Sequence, residues 1–246
     1  MAKESGDESR HSEARREAVR VLQILSRFYS YRVLERIYGI HFQNLWRYAS
    51  LLSVPERETA ERILEKTREL GLLERALRER AAGSLANGGL HVLARDTGFL
   101  QLASYLVSRR LREEREERVD SVIAVSHEAL TLATALALEL EAEVCVASER
   151  ARAEPRGVLL AHFRSRFSGE VFSLMVPKQC LDSGDSVVLV DVELREADRV
   201  SALASLARKA GARVEAIVVL RASREALAEV ERDLEKSRVI EVLPEL

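Results

Sequence analysis

Four polar side chains whose chemistry suits the major groove of DNA lie within seven residues of one another. They are His41, Gln43, Asn44 and Arg47. Asn and Gln can pair through two hydrogen bonds with adenine in the major groove of DNA, and Arg can do the same with guanine. These residue types therefore predict contacts to DNA bases, provided that the chain presents them on one exposed face.

A helix of about residues 42–50 would present these side chains in this way. Leu45 and Tyr48 lie three residues apart, a spacing that indicates the inward face of a helix. Ile40, just before this helix, is also expected to face inward. The polar residues between them would then face outward, so we predict that this helix reads the DNA bases.

A second short helix is predicted just before it. Leu34 and Tyr38 are expected to form its inner face, and Gly39 follows where a tight turn needs a residue that tolerates positive φ. Arg32 and Arg36 on this first helix are expected to contact DNA phosphates, which position a protein on the duplex without reading its sequence.

The segment YRVLERIYGIHFQNLWRYAS resembles the helix-turn-helix of the Cro-type repressors, and SVPERETAERIL continues the pattern. The resemblance covers about residues 13–70. It implies double-stranded DNA as a partner and a homodimer on a two-fold symmetric site. Glu35 stands where a small residue is usual, so it either disturbs the helix crossing or points outward. The alternative is a plain helical bundle used for dimerisation.

The distribution of charge favours the same region. Residues 1–84 carry 16 basic and 13 acidic side chains, a net charge of +3, whereas residues 85–246 carry 22 and 27, a net charge of −5. Residues 18–55 contain five arginines and one acid, a local charge of +4. The overall charge of −2 argues against a protein that simply coats nucleic acid. Because the positive charge is concentrated in residues 18–55, a DNA contact is predicted there.

Three regions are predicted along the chain. Residues 1–12 are polar and are expected to be disordered, residues 13–84 are helical, and residues 85–246 alternate short strands with helices. The stretch 82–89, which is dense in turn-forming residues, marks the boundary between the last two. Strands are predicted at 119–125, 143–147, 171–176, 186–191 and 214–220, and helices at about 129–140, 197–209 and 224–236. The fold class is therefore α/β, with a mostly parallel sheet covered by helices in the C-terminal domain.

The strand Val187–Val190, which ends in Asp191 and precedes a helix, resembles the signature of the type I phosphoribosyltransferases. The stretch from Met175 to Lys178 is similar to the branch of xanthine phosphoribosyltransferases and purine repressors. The resemblance covers about residues 88–225. Helix-turn-helix proteins fused to such domains occur in archaea, and the chain resembles these regulators.

The same resemblance implies that two loops have lost their phosphate-binding character. In the family, two successive acids hold ribose hydroxyls and a Thr/Gly-rich loop surrounds a phosphate. Here Val192 replaces the second acid, although Glu193 follows it, and the phosphate loop reads READR from Arg195 to Arg199. The other loop, Ser126 to Thr131, lacks its expected glycine. An acid-rich loop without glycine would repel a phosphate dianion, so no catalytic residue is assigned.

A ligand site nevertheless follows from the resemblance, with a nucleotide or phosphoribosyl pyrophosphate as the candidate effector. The candidate residues are Ser126, His127, Lys178, Asp191, Glu193, Arg195 and Arg199. Asp191 could instead cap the next helix, and His127 and Glu128 could be solvated loop residues. His162, Arg164 and Arg166 lie where the family has a mobile flap, and they could bind an anion or face water.

The remaining features exclude several classes of protein. Cys145 and Cys180 have no Cys or His neighbour at metal-ligand spacing, so we predict two buried thiols, no disulfide, no metal and no cofactor. The N-terminus has no signal-peptide core and the chain has no apolar run of membrane-spanning length, which predicts a cytoplasmic protein without a membrane partner. A DNA-binding regulator with a catalytically degenerate domain is the preferred hypothesis. The alternatives are an active purine- or orotate-type phosphoribosyltransferase and a non-enzymatic interaction module.

Overall fold

A computed structural model describes residues 2–114, 118–149, 157–166, 168–233 and 238–244. The chain divides into two compact units, Met1–Arg80 and Ala81–Leu246. The division falls inside helix α5 (Leu72–Gly88), four residues before the boundary that the sequence predicted. Residues 82–88 continue this helix instead of forming a turn, so Gly83 lies within the helix despite the roughly 1 kcal/mol that glycine costs there relative to alanine.

The N-terminal unit is helical throughout its regular structure. Its described elements are α1 (Ala2–Leu25), α2 (Tyr31–Tyr38), α3 (Phe42–Ala49), α4 (Arg57–Glu69) and the first half of α5. Helix α1 therefore includes residues 2–12, which the sequence analysis assigned to a disordered segment. Residues 2–17 contain no apolar side chain larger than alanine, so periodicity gave no signal there, although alanine, glutamate and arginine are good helix formers.

The core of this unit is built where α1, α2 and α4 meet. Leu22, Leu34 and Ile63 are completely buried. Tyr38 is buried as well, and its hydroxyl lies 2.8 Å from Oγ1 of Thr67, which in turn donates to the carbonyl of Ile63. Burial raises the pKa of Tyr38 to about 12, because the phenolate would lose its hydration.

The C-terminal unit is built on a parallel sheet. Within the described residues the sheet has five strands in the order β2-β1-β5-β6-β7, and every neighbouring pair is parallel. The strands are β1 (Ser121–Ala124), β2 (Glu143–Val146), β5 (Ser186–Leu194), β6 (Arg213–Ala222) and β7 (Arg238–Glu241). The helices are the second half of α5, α6 (Leu90–Leu93), α7 (Thr97–Glu114), α8 (Leu130–Leu140), α9 (Asp198–Ala210) and α10 (Arg224–Asp233). The predicted end of α10 at residue 236 lies outside the described residues. Strands β1 and β5 are buried over most of their length, as expected for central parallel strands.

A separate antiparallel hairpin stands beside the sheet. It consists of β3 (Val158–Arg164) and β4 (Val171–Pro177) and is followed by a single 3₁₀ turn, Lys178–Cys180. A disulfide joins Cys145 of β2 to Cys180, with the two Cα atoms 6.3 Å apart. The prediction of two separate thiols was therefore wrong. The cysteines are 35 residues apart, and only the return of β4 to β2 brings them together.

No helix of the described chain is long and apolar enough to cross a membrane.

Candidate functional site

A cavity of about 670 Å³ opens at one edge of the parallel sheet in the C-terminal unit. It is bounded by the connections that follow β1 and β5, by the start of α9 and by the hairpin. Its lining residues are Ser126, His127, Glu128, Phe163, Ser165, Phe172, Asp191, Glu193, Arg195, Glu196 and Arg199. Cavities of roughly 300–1,000 Å³ hold compact organic ligands, so the volume suits a small molecule.

Sheet topology brings the two connections together. Strands β1 and β5 are parallel neighbours, with Ala124 paired to Val190. Residues that follow both strands must therefore meet at the same edge of the sheet, where α/β proteins usually bind ligands. Ser126 follows β1, and Asp191 lies within β5 one residue beyond the paired Val190.

Asp191 is a half-buried acid of the cavity, and it is held from two sides. Its Oδ1 accepts hydrogen bonds from Oγ of Ser126 at 3.1 Å and from the amide of Val192 at 2.9 Å. Burial raises the pKa of Asp191, since its carboxylate loses hydration. The two hydrogen bonds and the charge of Arg199 act in the opposite direction, and Glu128 adds to the increase. Asp191 is thus a fixed carboxyl that resists ionisation.

Both arginines that line the cavity are paired with carboxylates. Arg195 contacts Glu193, with Nη2 2.7 Å from Oε2, and this hydrogen bond raises the pKa of Arg195. Arg199 contacts Glu149, and its guanidinium lies 5.7 Å from the ring centroid of Phe163. The positive charge near the cavity is therefore already balanced by acids of the protein itself.

The hairpin supplies an aromatic wall. Phe163 and Phe172 are paired across β3 and β4, and their rings are stacked with centroids 5.4 Å apart and planes inclined by 20°. Next to them, Oγ of Ser165 donates to Oε2 of Glu196 at 3.0 Å. The hairpin is thereby joined to the connection between β5 and α9.

A second set of contacts ties the hairpin to two helices. Arg166 forms hydrogen bonds to both carboxylate oxygens of Glu229 in α10, and its Nε lies 3.4 Å from Oδ1 of Asp198 in α9. Glu229 and Asp198 expose only 12% and 16% of their side chains. These contacts hold the hairpin tip beside the cavity.

Adenine phosphoribosyltransferases are among the solved structures with a similar fold. The enzyme from Saccharomyces cerevisiae, complexed with an imino-altritol bisphosphate and adenine, matches with a TM-score of 0.53 and 18% identity over 62% of this chain and 84% of that chain. The enzymes from Giardia lamblia (0.53, 17% identity, 63% and 83%) and Leishmania tarentolae (0.55, 14% identity, 63% and 74%) match similarly. These matches, at about 150 residues, are too long to be confined to the 80-residue N-terminal unit, and the parallel sheet lies in the other unit. The C-terminal unit has a phosphoribosyltransferase fold. No protein-family model and no curated protein matches the sequence.

The phosphoribosyltransferase-like unit brings together most of the ligand residues that the sequence suggested. Ser126, His127, Asp191, Glu193, Arg195 and Arg199 all line the cavity. Lys178 does not, because it follows the base of β4, at the opposite end of that strand from Phe172. Phe163 and Phe172 were missed by sequence reasoning. Phe163 lies within the expected flap and Phe172 within the strand predicted at 171–176, but their contact depends on the register of the hairpin.

The connection between β5 and α9 differs from a phosphate-binding loop in the way that the sequence predicted. It contains no glycine, and Glu196 lines the cavity. Asp198 begins α9 and faces Arg166. The phosphoribosyltransferase-like unit therefore presents acidic side chains at the helix start where an anion would otherwise be favoured. Among the described residues, no cluster of three or more His, Cys, Asp or Glu could hold a metal ion.

The N-terminal unit carries the other candidate surface, on α3. Gly39 adopts a φ of +65° between α2 and α3, and Nδ1 of His41 accepts from the amide of Gln43 at the start of α3. Gln43, Asn44 and Arg47 are exposed, as predicted. Leu45 is fully buried beneath them.

The two predicted phosphate-contacting arginines lie on α2. Both are exposed, and Arg36 lies in the last turn of the helix. Arg32 stacks on Phe42 with its guanidinium carbon 4.1 Å from the ring centroid, and it also lies 3.6 Å from Glu35. Glu35 thus points outward, one of the two arrangements left open by the sequence.

Trp46 adds an aromatic group to this surface. The residue is 48% exposed, on the same helix as Asn44 and Arg47. Leu45, and not Trp46, provides the buried contact of α3. The outer face of α3 therefore combines amide, guanidinium and indole groups.

Proposed function

We propose that the protein is a sequence-specific DNA-binding transcriptional regulator. In this proposal, α2 and α3 form a helix-turn-helix of the Cro type, and α3 enters the major groove. The phosphoribosyltransferase-like unit has lost catalysis and serves in dimerisation or ligand sensing. The proposed partners are double-stranded DNA and a second copy of the chain, in the cytoplasm.

The exposed face of α3 is the observation that carries the proposal. Gln43, Asn44 and Arg47 lie on it, and a bidentate pair with the correct base contributes about 1–3 kcal/mol of discrimination. Arg32 is fixed over Phe42, at the N-terminal end of α3, where a phosphate contact would set the position of the helix on the duplex. The local charge of +4 in residues 18–55 supports attraction to DNA.

The acidic connection before α9 supports the loss of catalysis. A phosphate dianion placed beside Glu196 would meet like charge, and the neighbouring arginines are already engaged by Glu193 and Glu149. Transfer of a phosphoribosyl group requires that such anions bind tightly. A retained fold with an altered pocket is therefore better suited to sensing than to transfer.

The proposal is tested by selection of DNA fragments from a random-sequence library with the full-length protein, at about 50 and about 200 mM salt. A two-fold symmetric site that remains enriched at the higher salt is expected. Asn44→Ala and Arg47→Ala should each reduce discrimination by about 1–3 kcal/mol, whereas Arg32→Ala should weaken binding to all sequences alike. Arg62→Ala, which removes an exposed arginine of α4, is the matched control.

Two results would contradict the proposal. The first is absence of any enriched site, and the second is an equal loss for the α3 variants, Arg32→Ala and Arg62→Ala. Gel filtration tests the dimer separately, because a symmetric operator requires two copies of α3. A monomer at micromolar concentration would remove that part of the proposal.

An active nucleobase phosphoribosyltransferase is the second candidate, and the position of Asp191 favours it. This acid remains at the cavity edge of β5, held by Ser126. Release of pyrophosphate from phosphoribosyl pyrophosphate and a purine base or orotate, abolished by Asp191→Ala, would establish this activity. No turnover and no binding at millimolar substrate would exclude it.

A further inference from the structure

We propose that the cavity of the phosphoribosyltransferase-like unit binds an unphosphorylated nucleoside and discriminates against the corresponding nucleotide. A nucleoside combines a flat base with hydroxyl and amine groups that donate hydrogen bonds. This inference rests on the sensing role proposed above and specifies the ligand class. It replaces the nucleotide or phosphoribosyl pyrophosphate that the sequence suggested. Three features of the cavity carry it.

The first feature is the aromatic wall. Phe163 and Phe172 stack on one another and line the cavity together. Stacked aromatic rings favour flat ring systems, which bind by offset stacking or by edge-to-face contact. The cavity volume of about 670 Å³ exceeds what a single ring needs, so there is space for a polar substituent as well.

The second feature is the supply of hydrogen-bond acceptors. Four carboxyl groups line the cavity, from Glu128, Asp191, Glu193 and Glu196. Ionised carboxyl groups only accept hydrogen bonds, so they suit the hydroxyl and amine donors of a nucleoside. Asp191 is anchored by Ser126 and Val192 through one of its oxygens, Oδ1, and both of these bonds fix the direction of its other oxygen.

The third feature is the charge balance. Leaving His127 aside, the described lining residues carry four acids against two arginines. The balance is 2 − 4 = −2 with all acids ionised, and it is still negative, 2 − 3 = −1, while Asp191 keeps its proton. Both arginines are paired, one with Glu193 of the lining and the other with Glu149 outside it. A phosphate group, which carries about −1.5 to −2 near neutral pH, would therefore enter a negative environment. Burial already raises the pKa of Asp191, and an added anion would raise it further.

The test compares four nucleosides with their 5′-monophosphates, using calorimetric titration of the full-length protein. Adenosine, guanosine, cytidine and uridine are the probes, with phosphoribosyl pyrophosphate as an additional ligand. At least one nucleoside is expected to bind roughly tenfold or more tightly than its monophosphate, because repulsion by the lining acids acts on the phosphate alone. A monophosphate that binds as tightly as its nucleoside, or no nucleoside binding at millimolar concentration, would overturn the inference.

Two variants locate the binding in the cavity. The double variant Glu128→Gln/Glu196→Gln removes two lining charges and should reduce the preference for nucleoside over monophosphate severalfold. Phe172→Ala should weaken nucleoside binding about tenfold by removing an aromatic face. Phe172→Leu keeps the apolar contact but removes the aromatic face. It replaces the alanine variant in this test if circular dichroism shows that Phe172→Ala is unfolded. Unchanged affinities in these variants would place the ligand elsewhere and overturn the inference.

The outcome is independent of the DNA experiment. Nucleoside binding without an enriched DNA sequence would support the ligand class and contradict the regulator. An enriched DNA sequence without nucleoside binding would support the regulator and contradict the ligand class. Addition of the bound nucleoside to the DNA selection then measures whether the two sites are coupled.

Discussion

The guanidinium of Arg166, at the tip of the hairpin, donates hydrogen bonds to both carboxylate oxygens of Glu229 in helix α10. The same side chain approaches Asp198 at the start of α9. Removal of Arg166 would leave two mostly buried carboxylates without this cation. The ion pairs of Arg166 thus hold one wall of the candidate ligand cavity in place. Their contribution can be measured by substitution of Arg166 and by a change of salt concentration.

Arg166→Ala is expected to loosen the hairpin and to lower the free energy of unfolding by about 1 kcal/mol, since Arg166 itself is largely exposed and screened by solvent. Hydrogen exchange in β3 and β4 should become faster, while exchange in β5 and β6 stays slow. Arg208→Ala, at an exposed arginine on α9, provides the control. Equal exchange rates in both variants would show that the ion pairs do not hold the hairpin.

The Cys145–Cys180 disulfide is expected to stabilise the phosphoribosyltransferase-like unit by about 3–4 kcal/mol, because it closes a loop of 35 residues in the unfolded chain. Cys145→Ser should therefore lower the midpoint of urea unfolding for this unit. Thiol titration of the denatured protein supplies the direct check, with two thiols after reduction and none before. Free thiols in the unreduced, denatured protein would contradict the bond.

Tyr38 predicts a loss of stability in alkali. Its pKa is raised by burial to about 12 in the folded protein, so the unfolded chain, with an ordinary value of 10.0, loses its proton first as the pH rises. The stabilising contribution is complete below pH 10.0 and falls by roughly 2–3 kcal/mol by pH 12. In Tyr38→Phe this pH dependence should disappear. Urea unfolding of both proteins between pH 9 and about pH 11 measures the difference.

Because the pKa of Asp191 is raised, we expect the free energy of unfolding to depend on pH, starting near the ordinary pKa of 3.8. Because its pKa is raised in the folded state, the unfolded chain ionises first, and the wild type loses stability as the pH rises through the folded pKa. Asp191→Asn keeps an acceptor for Ser126 and removes the charge. The variant should gain stability relative to the wild type as the pH rises from 4 towards 7. A constant difference between the two would show that Asp191 does not titrate abnormally.

Much of the α/β unit could be predicted because its central elements are marked by apolar runs. The strand predicted at 186–191 is β5, and the helices predicted at 129–140 and 197–209 are α8 and α9 within one or two residues. These segments combine four or more consecutive aliphatic residues, or a clear helical period, with polar ends. Their order alone implies a parallel sheet, and the comparison with solved structures confirms that fold class.

Other elements escaped prediction for physical reasons. Strand β7 has only two aliphatic residues, Val239 and Ile240, and depends on its pairing with β6. Strand β3 has polar His162 and Arg164 on its exposed side, which hide its period, and the family resemblance placed these residues in a flap. Helix α7 has a helical period, but polar Ser104 and Ser108 lie buried among its apolar residues and weaken the pattern.

Some residues of the candidate site could likewise be predicted from the sequence, and others could not. Residues at the ends of β1 and β5 could be placed from the sequence, since parallel neighbouring strands end at the same edge. The aromatic wall and the exclusion of Lys178 depend on the register of β3 with β4, which local sequence does not encode. The disulfide depends on where β4 returns to β2, and this is again a tertiary property.

The disulfide also separates the part of the hairpin that is attached to the sheet from the part that lines the cavity. Cys145 and Cys180 make the chain between them a covalent ring, and that ring contains the whole hairpin with Phe163, Ser165 and Phe172. Substitutions, insertions or deletions at the tip of the ring alter the wall of the cavity while its base stays attached to β2. Changes confined to this ring can therefore alter the aromatic wall without altering the parallel sheet to which the ring is attached.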